Sequence, residues 1–275
     1  MRPLRLLAAV VVVVLATTHV AMTETSAAAS ASAADVASTA RRTPYSVLQM
    51  NLCLSGLAGC QRYPRVMREA IRVIRARRPN AVTFNEVCRR DVARIADRTG
   101  YRARFATVLY GGRPLPCRSP RGRGVFGNAV LVKAEITGSV DRRFRAQADQ
   151  EKRRWLCVAT GGRGVTVCTT HLSPRGSARA RAANRRQCAE FADVLAARAR
   201  RGPTIAAGDI NRHGECAPAG MWTRTDDKAA QKPGIQHAYG NRRYLRRPVA
   251  RIVRARFTDH DYLHVRAWLV RPAAR

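Results

Sequence analysis

Four short apolar runs, at residues 45–50, 81–85, 165–170 and 203–207, each break off at a polar residue: Asn51, Glu86, His171 and, just past Gly208, Asp209. Runs of this length, rich in β-branched residues, are the mark of strands buried on both faces. A chain made of such runs must fold around a sheet. The residue ending each run then sits on a loop at the sheet's rim, on rigid support and open to ligands. Asn211 follows Asp209 by two residues, and Asp259 with His260 adds a fifth polar group near the C-terminus. Glu86, Asp209 and Asp259 are hard oxygen donors of the kind Mg²⁺ or Ca²⁺ prefers. The histidines can move protons, and the carboxamides can donate to phosphate oxygens. Singly each is ordinary, and Gly208-Asp209-Ile210-Asn211 alone reads as a turn. As an ordered set they suit metal-assisted hydrolysis of a phosphate ester.

Helical spacing separates the runs. Within residues 63–77, Val66, Ala70, Val73 and Ile74 recur at helical intervals among arginines, and Pro79 closes the segment. Residues 91–98 predict a short second helix. Residues 177–200 predict a longer one with Cys188, Phe191, Val194, Leu195 and Ala199 as its apolar stripe. Residues 155–160 and 165–170 flank Gly161-Gly162-Arg163-Gly164, a hairpin signal. Folding about that centre sets Cys157 opposite Cys168, within bonding reach if both face one side. The chain carries no internal repeat, and strand alternating with helix predicts an α/β fold.

Residues 1–34 have the build of a secretory signal: Arg2 and Arg5, an apolar run over 6–16, then an Ala/Ser-rich stretch with Ala31 and Ala33 as cleavage points. The run is too short for a comfortable membrane span. Residues 35–43 predict a flexible lead-in, and 44–275 a single catalytic domain long enough for a full core. All eight cysteines follow the signal segment, and an even count on an exported chain predicts up to four disulfides. Cys53–Cys60 would close a short loop beside Asn51. Cys88–Cys117 and Cys188–Cys216 follow by elimination. A secreted, monomeric protein without an obligate protein partner is expected.

The formal net charge is +33, with 51 lysines and arginines against 18 acids, and only four of the 51 are lysine. Such a field draws polyanions, nucleic acid first and anionic membrane surfaces second. Guanidinium forks also match phosphate oxygens bidentately. Arg113, Arg118, Arg121 and Arg123 occupy a Gly/Pro-rich loop before Gly127-Asn128, and Arg242, Arg243, Arg246 and Arg247 form a second cluster. Asn128, Arg121 and Arg123 are the candidate contacts to substrate phosphate.

In this order the motifs resemble those of the endonuclease/exonuclease/phosphatase superfamily, over roughly residues 45–270. Gln49-Met50-Asn51 is similar to the family's first strand, which ends in a metal-site asparagine. Phe84-Asn85-Glu86-Val87 resembles its metal-binding glutamate motif, with Asn85 where glutamine is usual. Gly127-Asn128-Ala129-Val130 is similar to a Gly-Asn-Ala segment entering a central strand. Thr170-His171-Leu172 resembles the histidine motif of secreted deoxyribonucleases and sphingomyelinases. Gly208-Asp209-Ile210-Asn211 and Thr258-Asp259-His260 resemble the two most diagnostic motifs, the latter usually beginning with serine. Two departures stand out. Ile235-Gln236-His237 has glutamine where relatives place the aspartate that orients the catalytic histidine, and Cys53 stands where some carry a second acidic ligand.

The resemblance implies a four-layer α/β/β/α sandwich: two packed, mainly antiparallel sheets with outer helices. It implies one Mg²⁺, with Ca²⁺ or Mn²⁺ as alternatives, held by Glu86 with help from Asn51 and Asp259. His260 would be the general base, oriented by Gln236. Asp209 would align or deprotonate the attacking water, or serve as acid. Asn211 would donate to phosphoryl oxygens, and His171 would protonate the leaving oxygen. His213, His237 and His264 are expected to be structural. The function implied is a secreted, metal-dependent phosphodiesterase, an endonuclease on DNA or RNA. One alternative is a sphingomyelinase or phospholipase C-type enzyme, for which Met221 and Trp222 would form a lipid-entering loop. The other is a basic nucleic-acid-binding protein with a degraded catalytic site.

Overall fold

The computed structural model describes residues 42–59, 62–162 and 164–270, so the expected signal segment lies outside the described residues. In chain order the first half runs β1 (Arg42–Asn51), α1 (Arg65–Arg77), β2 (Ala81–Cys88), α2 (Arg89–Thr99), β3 (Arg102–Thr107), β4 (Leu109–Tyr110), β5 (Arg113–Pro114) and β6 (Phe126–Val132). Arg42 and Thr43, expected in the flexible lead-in, are instead the first residues of β1, paired with Val270 and Leu269. The second half begins with β7 (Ile136–Arg143), β8 (Glu151–Lys152), β9 (Arg154–Thr160), β10 (Thr166–Thr170) and α3 (Ala178–Arg201). It ends with β11 (Thr204–Asp209), β12 (Met221–Thr225), β13 (Gln236–Asn241), β14 (Leu245–Val253) and β15 (Tyr262–Val270).

Two six-stranded sheets result, in the orders β14-β15-β1-β2-β6-β3 and β12-β13-β11-β10-β9-β7, beside a small sheet of β5-β4-β8. Each large sheet is antiparallel except for one central pair, β1 with β2 and β10 with β11. Parallel neighbours need a crossover, and α1 and α3 supply it. Such a pair also aims both C-terminal ends at the same rim, which places the polar run-ends together.

The sheets bury their facing sides against each other. Val47, Val130, Leu263 and Val265 of one sheet cluster with Leu156, Val158, Val167 and Ile205 of the other. The outer side of the first sheet, with Leu48, Met50, Phe84 and Leu131, is covered by Val66, Ala70 and Ile74 of α1 and Val92 and Ile95 of α2. The outer side of the second, with Ala206 and Tyr239, is covered by Phe191 and Leu195 of α3. Four layers are thus present, as the resemblance implied. Central strands covered on both faces have no reason to alternate, and that is why they read as unbroken apolar runs.

The longest helix begins and ends as its sequence suggests. Ser177 caps α3 by accepting from the Ala180 amide at 3.1 Å, and Arg198, Arg200 and Arg201 occupy its last turn, where cations favour the dipole. Disulfides join Cys157–Cys168, Cys88–Cys117 and Cys188–Cys216. The first links directly opposed residues of the β9–β10 hairpin. Cys53 is also disulfide-bonded, while its expected partner Cys60 lies outside the described residues.

Candidate active site

The two parallel pairs bring four strand ends to one rim. Asn51 and Asn85 are partners at the end of β1–β2, and His171 bridges Asp209 just past β10 and β11. Gly208 makes this second pairing possible: a Cβ there would meet the Thr170 carbonyl oxygen at 2.1 Å. Glu86 is turned to the rim by a bulge, since β2 and β6 lose register between Phe84 and Val87. Glu86 and Asn211 both take left-handed backbone, at φ 55° and 53°. Asparagine tolerates this far better than glutamate, so strain at Glu86 is held by the surrounding sheet.

Asp209 lies at the centre. Its Oδ2 accepts from Asn51 Nδ2 at 3.0 Å and stands 3.2 Å from His260 Nε2. Asn51 Nδ2 also donates to Glu86 Oε1 at 3.0 Å, tying the two carboxylates. His171 Nε2 is 3.9 Å from Asp209 Oδ2 and 4.0 Å from Glu86 Oε1, and its Nδ1 is buried without a hydrogen-bond partner. His260 Nδ1 is 2.8 Å from Asp259 Oδ1, and Lys232 Nζ donates to Asp259 Oδ2 at 2.5 Å. Thr258 Oγ1, in place of the usual serine, donates to the Asn51 carbonyl at 3.0 Å and docks this last loop onto β1. Asn211 donates its amide N–H to Asp209 Oδ1 at 3.0 Å and its Nδ2 to the Leu172 carbonyl at 2.9 Å.

Burial alone would lower the His260 pKa, but its contacts with Asp209 and Asp259 win and raise it to about 9. The same contacts, with Asn51 on one carboxylate and Lys232 on the other, outweigh burial and hold Asp209 and Asp259 below the ordinary carboxylate range. Burial and then Arg153 push His171 well below the usual histidine value, so its ring is neutral. Burial, opposed by the Asn51 hydrogen bond and aided by Glu151, raises Glu86.

Several expected roles need correction. Gln236 does not reach His260. Its Nε2 donates to Asp226 Oδ2 at 3.1 Å and to the Asp261 carbonyl at 2.5 Å, and its Oε1 is buried without a partner. Asp259 and Asp209 hold the histidine instead. Arg123 is no phosphate contact: it is buried, with Nη1 2.7 Å from Asp91 Oδ2, Nη2 on the Leu54 carbonyl at 2.8 Å and Nε on the Pro120 carbonyl at 3.1 Å. Arg121 is exposed in the same loop. Asn128 is buried and accepts from Asn85 Nδ2 at 3.0 Å, which makes it a neighbour of the site's frame.

That frame centres on Asn85, which sequence reasoning noted only as a departure. Asn85 Nδ2 also donates to the Thr170 carbonyl at 3.0 Å, while Oδ1 accepts from Gln49 Nε2 at 2.8 Å and the Asp209 amide at 2.7 Å. One buried amide therefore ties the two sheets at the rim. Two further groups were missed. Glu151 and Arg153 lie 2.8 Å apart, off-line for a hydrogen bond, and their charges act on Glu86 and His171 respectively. Both come from a short segment without motif or periodicity, so no sequence signal marked them.

Among the described residues no three of histidine, cysteine, aspartate and glutamate form a ready-made metal cage. The residues present nevertheless suit a cation. Burial, with a smaller push from neighbouring carboxylates, raises both Glu86 and Glu151 beside the ionised Asp209. A divalent ion would relieve that cost.

The model of the endonuclease/exonuclease/phosphatase family matches residues 57–260. No curated protein sequence matches the chain significantly. Among solved structures, an endonuclease/exonuclease/phosphatase from Beutenbergia cavernae DSM 12333 superposes with a TM-score of 0.63 at 20% identity, covering 83% of this chain and 72% of that one. The human nocturnin catalytic domain with bound sulfate gives 0.61 at 16% identity, covering 85% and 97%. TDP2 from D. rerio with a single-strand DNA product gives 0.59 at 15% identity, covering 82% and 99%.

Proposed function

This chain belongs to the endonuclease/exonuclease/phosphatase family, and on that premise we propose that it is a secreted, divalent-metal-dependent phosphodiesterase that cuts nucleic acid. The observation that carries the reading is Asp209: its carboxylate joins His260 and Asn51 and stands within 4 Å of His171, at the meeting of four strand ends. The family hydrolyses phosphoester bonds, and these are the group types such hydrolysis needs. The charge of +33 and the DNA product held by the D. rerio relative support nucleic acid as the substrate. The three disulfides between described residues support an exported protein.

Glu86 is the residue best placed to hold the ion. Asn51 Oδ1 accepts from the Cys53 amide at 3.1 Å, and both Asp259 oxygens are engaged by His260 and Lys232, so these two support rather than ligate. Mg²⁺ suits a site with so few protein oxygens, because it keeps waters and takes substrate phosphate oxygens. An ion held there would supply polarisation of the scissile phosphate and offset its developing charge.

The chain's own groups supply the rest. Asp209, ionised, orients the attacking water and accepts its proton as the water attacks phosphorus. Both ring nitrogens of His260 face carboxylate oxygens, which favours its protonated form, so its proposed role is that of a positive donor in place of the base expected from its motif. His171, neutral and desolvated, donates a hydrogen bond to a phosphoryl oxygen. Asn211 is locked by its own contacts and holds Asp209 in register.

The lipid reading loses its support, because Trp222 and Met221 are buried in β12 and the indole Nε1 donates to the Leu245 carbonyl at 2.7 Å. The test is to offer short DNA and RNA strands, sphingomyelin vesicles and p-nitrophenyl phosphate side by side with Mg²⁺. Strands should be cut with at least about tenfold higher kcat/KM than the others. Release of choline phosphate as the dominant activity would replace this reading with the lipid one.

A further inference from the structure

A recess of about 410 Å³ opens on the outer face of the first sheet, at the end opposite the catalytic rim. It is lined by Ser46, Arg77, Arg78, Arg251, His264 and Arg266 among others, and no carboxylate lines it. Arg266 pairs with Ser46, five residues before Asn51 on β1, and His264 with Leu48, three residues before it, which places the recess roughly 10–17 Å from the site along the strand and on the other face.

The fold assembles this cluster from three elements. In β15, Leu263, Val265 and Ala267 fill the inter-sheet core, so His264 and Arg266 point to the opposite face. In β14, Ala250 and Ile252 pack toward that same core, leaving Arg251 beside its register partner His264. Arg77 and Arg78 arrive from the C-terminal end of α1. Lys133 Nζ donates to the Arg78 carbonyl at 2.7 Å and ties down the end of α1.

A basic patch on a chain of this charge would by itself mean little. Its shape and its histidine set this one apart. The four guanidinium groups converge on one recess and none has a hydrogen bond or a carboxylate partner among the described residues, so all four are free to turn to a ligand. His264 is only 5% exposed, yet its Nε2 has no hydrogen-bond partner. A buried ring nitrogen left unpaired beside convergent cations marks a polar site whose partner set is incomplete. Arginine forks match tetrahedral oxyanions, and an oxyanion seated among them would repack the imidazole beside them.

We propose that this recess is a second, noncatalytic site that binds an oxyanion of the phosphate class through Arg77, Arg251, Arg266 and His264. The anion is free phosphate, a phosphate of a nucleic-acid strand or a lipid headgroup; all three present the same oxygens. The inference goes beyond the hydrolytic reading and does not rest on it.

The test uses the mature, oxidised protein in EDTA, so that no turnover occurs. Histidine ring protons are followed by NMR as inorganic phosphate is added, against sodium chloride of equal ionic strength. The His264 signal is identified by its loss in His264→Gln. That signal should shift saturably with phosphate and not with chloride, and Arg251→Gln with Arg266→Gln should weaken the binding at least about tenfold. Phosphate held at the catalytic rim would move His171 and His260 instead. Arg242→Gln with Arg243→Gln, in an arginine cluster outside the recess, should leave the shift intact. Displacement of phosphate by a 5′-phosphorylated strand would make nucleic acid the carrier, displacement by phosphatidate-containing vesicles a lipid, and displacement by neither would leave free phosphate. A His264 signal indifferent to phosphate, or a shift unchanged in the Arg251/Arg266 pair, would overturn the proposal.

Discussion

Asp209 Oδ2 serves two neighbours at once, and the ring of His260 is clamped between that oxygen and Asp259. Because the two histidines hold different charge states in the same small space, they are not interchangeable. His171→Ala and His260→Ala should each lower kcat by about a hundredfold or more with the fold intact; turnover within threefold of the parent in both would remove their assignments. Asp226 gives a second test. Burial, against hydrogen bonds from Gln236, raises its carboxyl from 3.8 to about 6. A carboxyl raised in the folded state binds its proton more tightly there, so its stabilisation is full below about pH 4 and is lost as pH rises through 6. Asp226→Asn should therefore gain Tm relative to the parent between pH 5 and 7.5, and a constant difference across that range would contradict the shift. At this scale the sequence was readable where a polar residue ended an apolar run, as at Asn51, Glu86, His171 and Asp209. Partner choice was not readable. Lys232 meets Asp259 across 27 positions, and the Gln236 amide turns to Asp226 rather than to the histidine beside which its motif places it.

Two strand–helix–strand crossovers, one in each sheet, carry the site. Periodicity made them legible: the spacing of α1 and α3, and the unbroken runs of β1, β2, β10 and β11, follow from burial on one face and on two faces respectively. The bulge that turns Glu86 outward leaves no such trace, since it changes pairing without changing composition. Nor did β12 show itself, because its mixed sequence hides a buried Trp222. The disulfides act at this scale too. Cys88–Cys117 spans 29 residues and Cys157–Cys168 spans 11, so loop entropy makes the former worth about 0.9 kcal/mol more. Cys88 also ends the strand bearing Glu86. Replacing Cys88 and Cys117 by alanine should lower the denaturant midpoint further than replacing Cys157 and Cys168, and should cost activity out of proportion to stability. Equal midpoints and equal activities would show that the longer bridge does not pin the site.

The molecule as a whole is a strong cation, with a net charge of +33. Net charge was legible at once, and it bears on partners and rates rather than on fold. Its distribution was not, because folding decides which arginines are consumed internally, as Arg123 is, and which remain outside. If the substrate is nucleic acid, KM should climb steeply with salt, the affinity falling with a log–log slope of about −0.9 for each phosphate neutralised. A flat profile would mean that the charge plays no part in substrate capture. The central claim is that the Glu86–Asp209–His260 rim is a metal-dependent phosphodiesterase centre. Nicking of supercoiled plasmid by the mature, oxidised protein tests it most directly, with Mg²⁺, with EDTA, and with Asp209→Ala in Mg²⁺. Nicking is expected in the first case alone. Nicking that survives EDTA or the loss of Asp209 would contradict it.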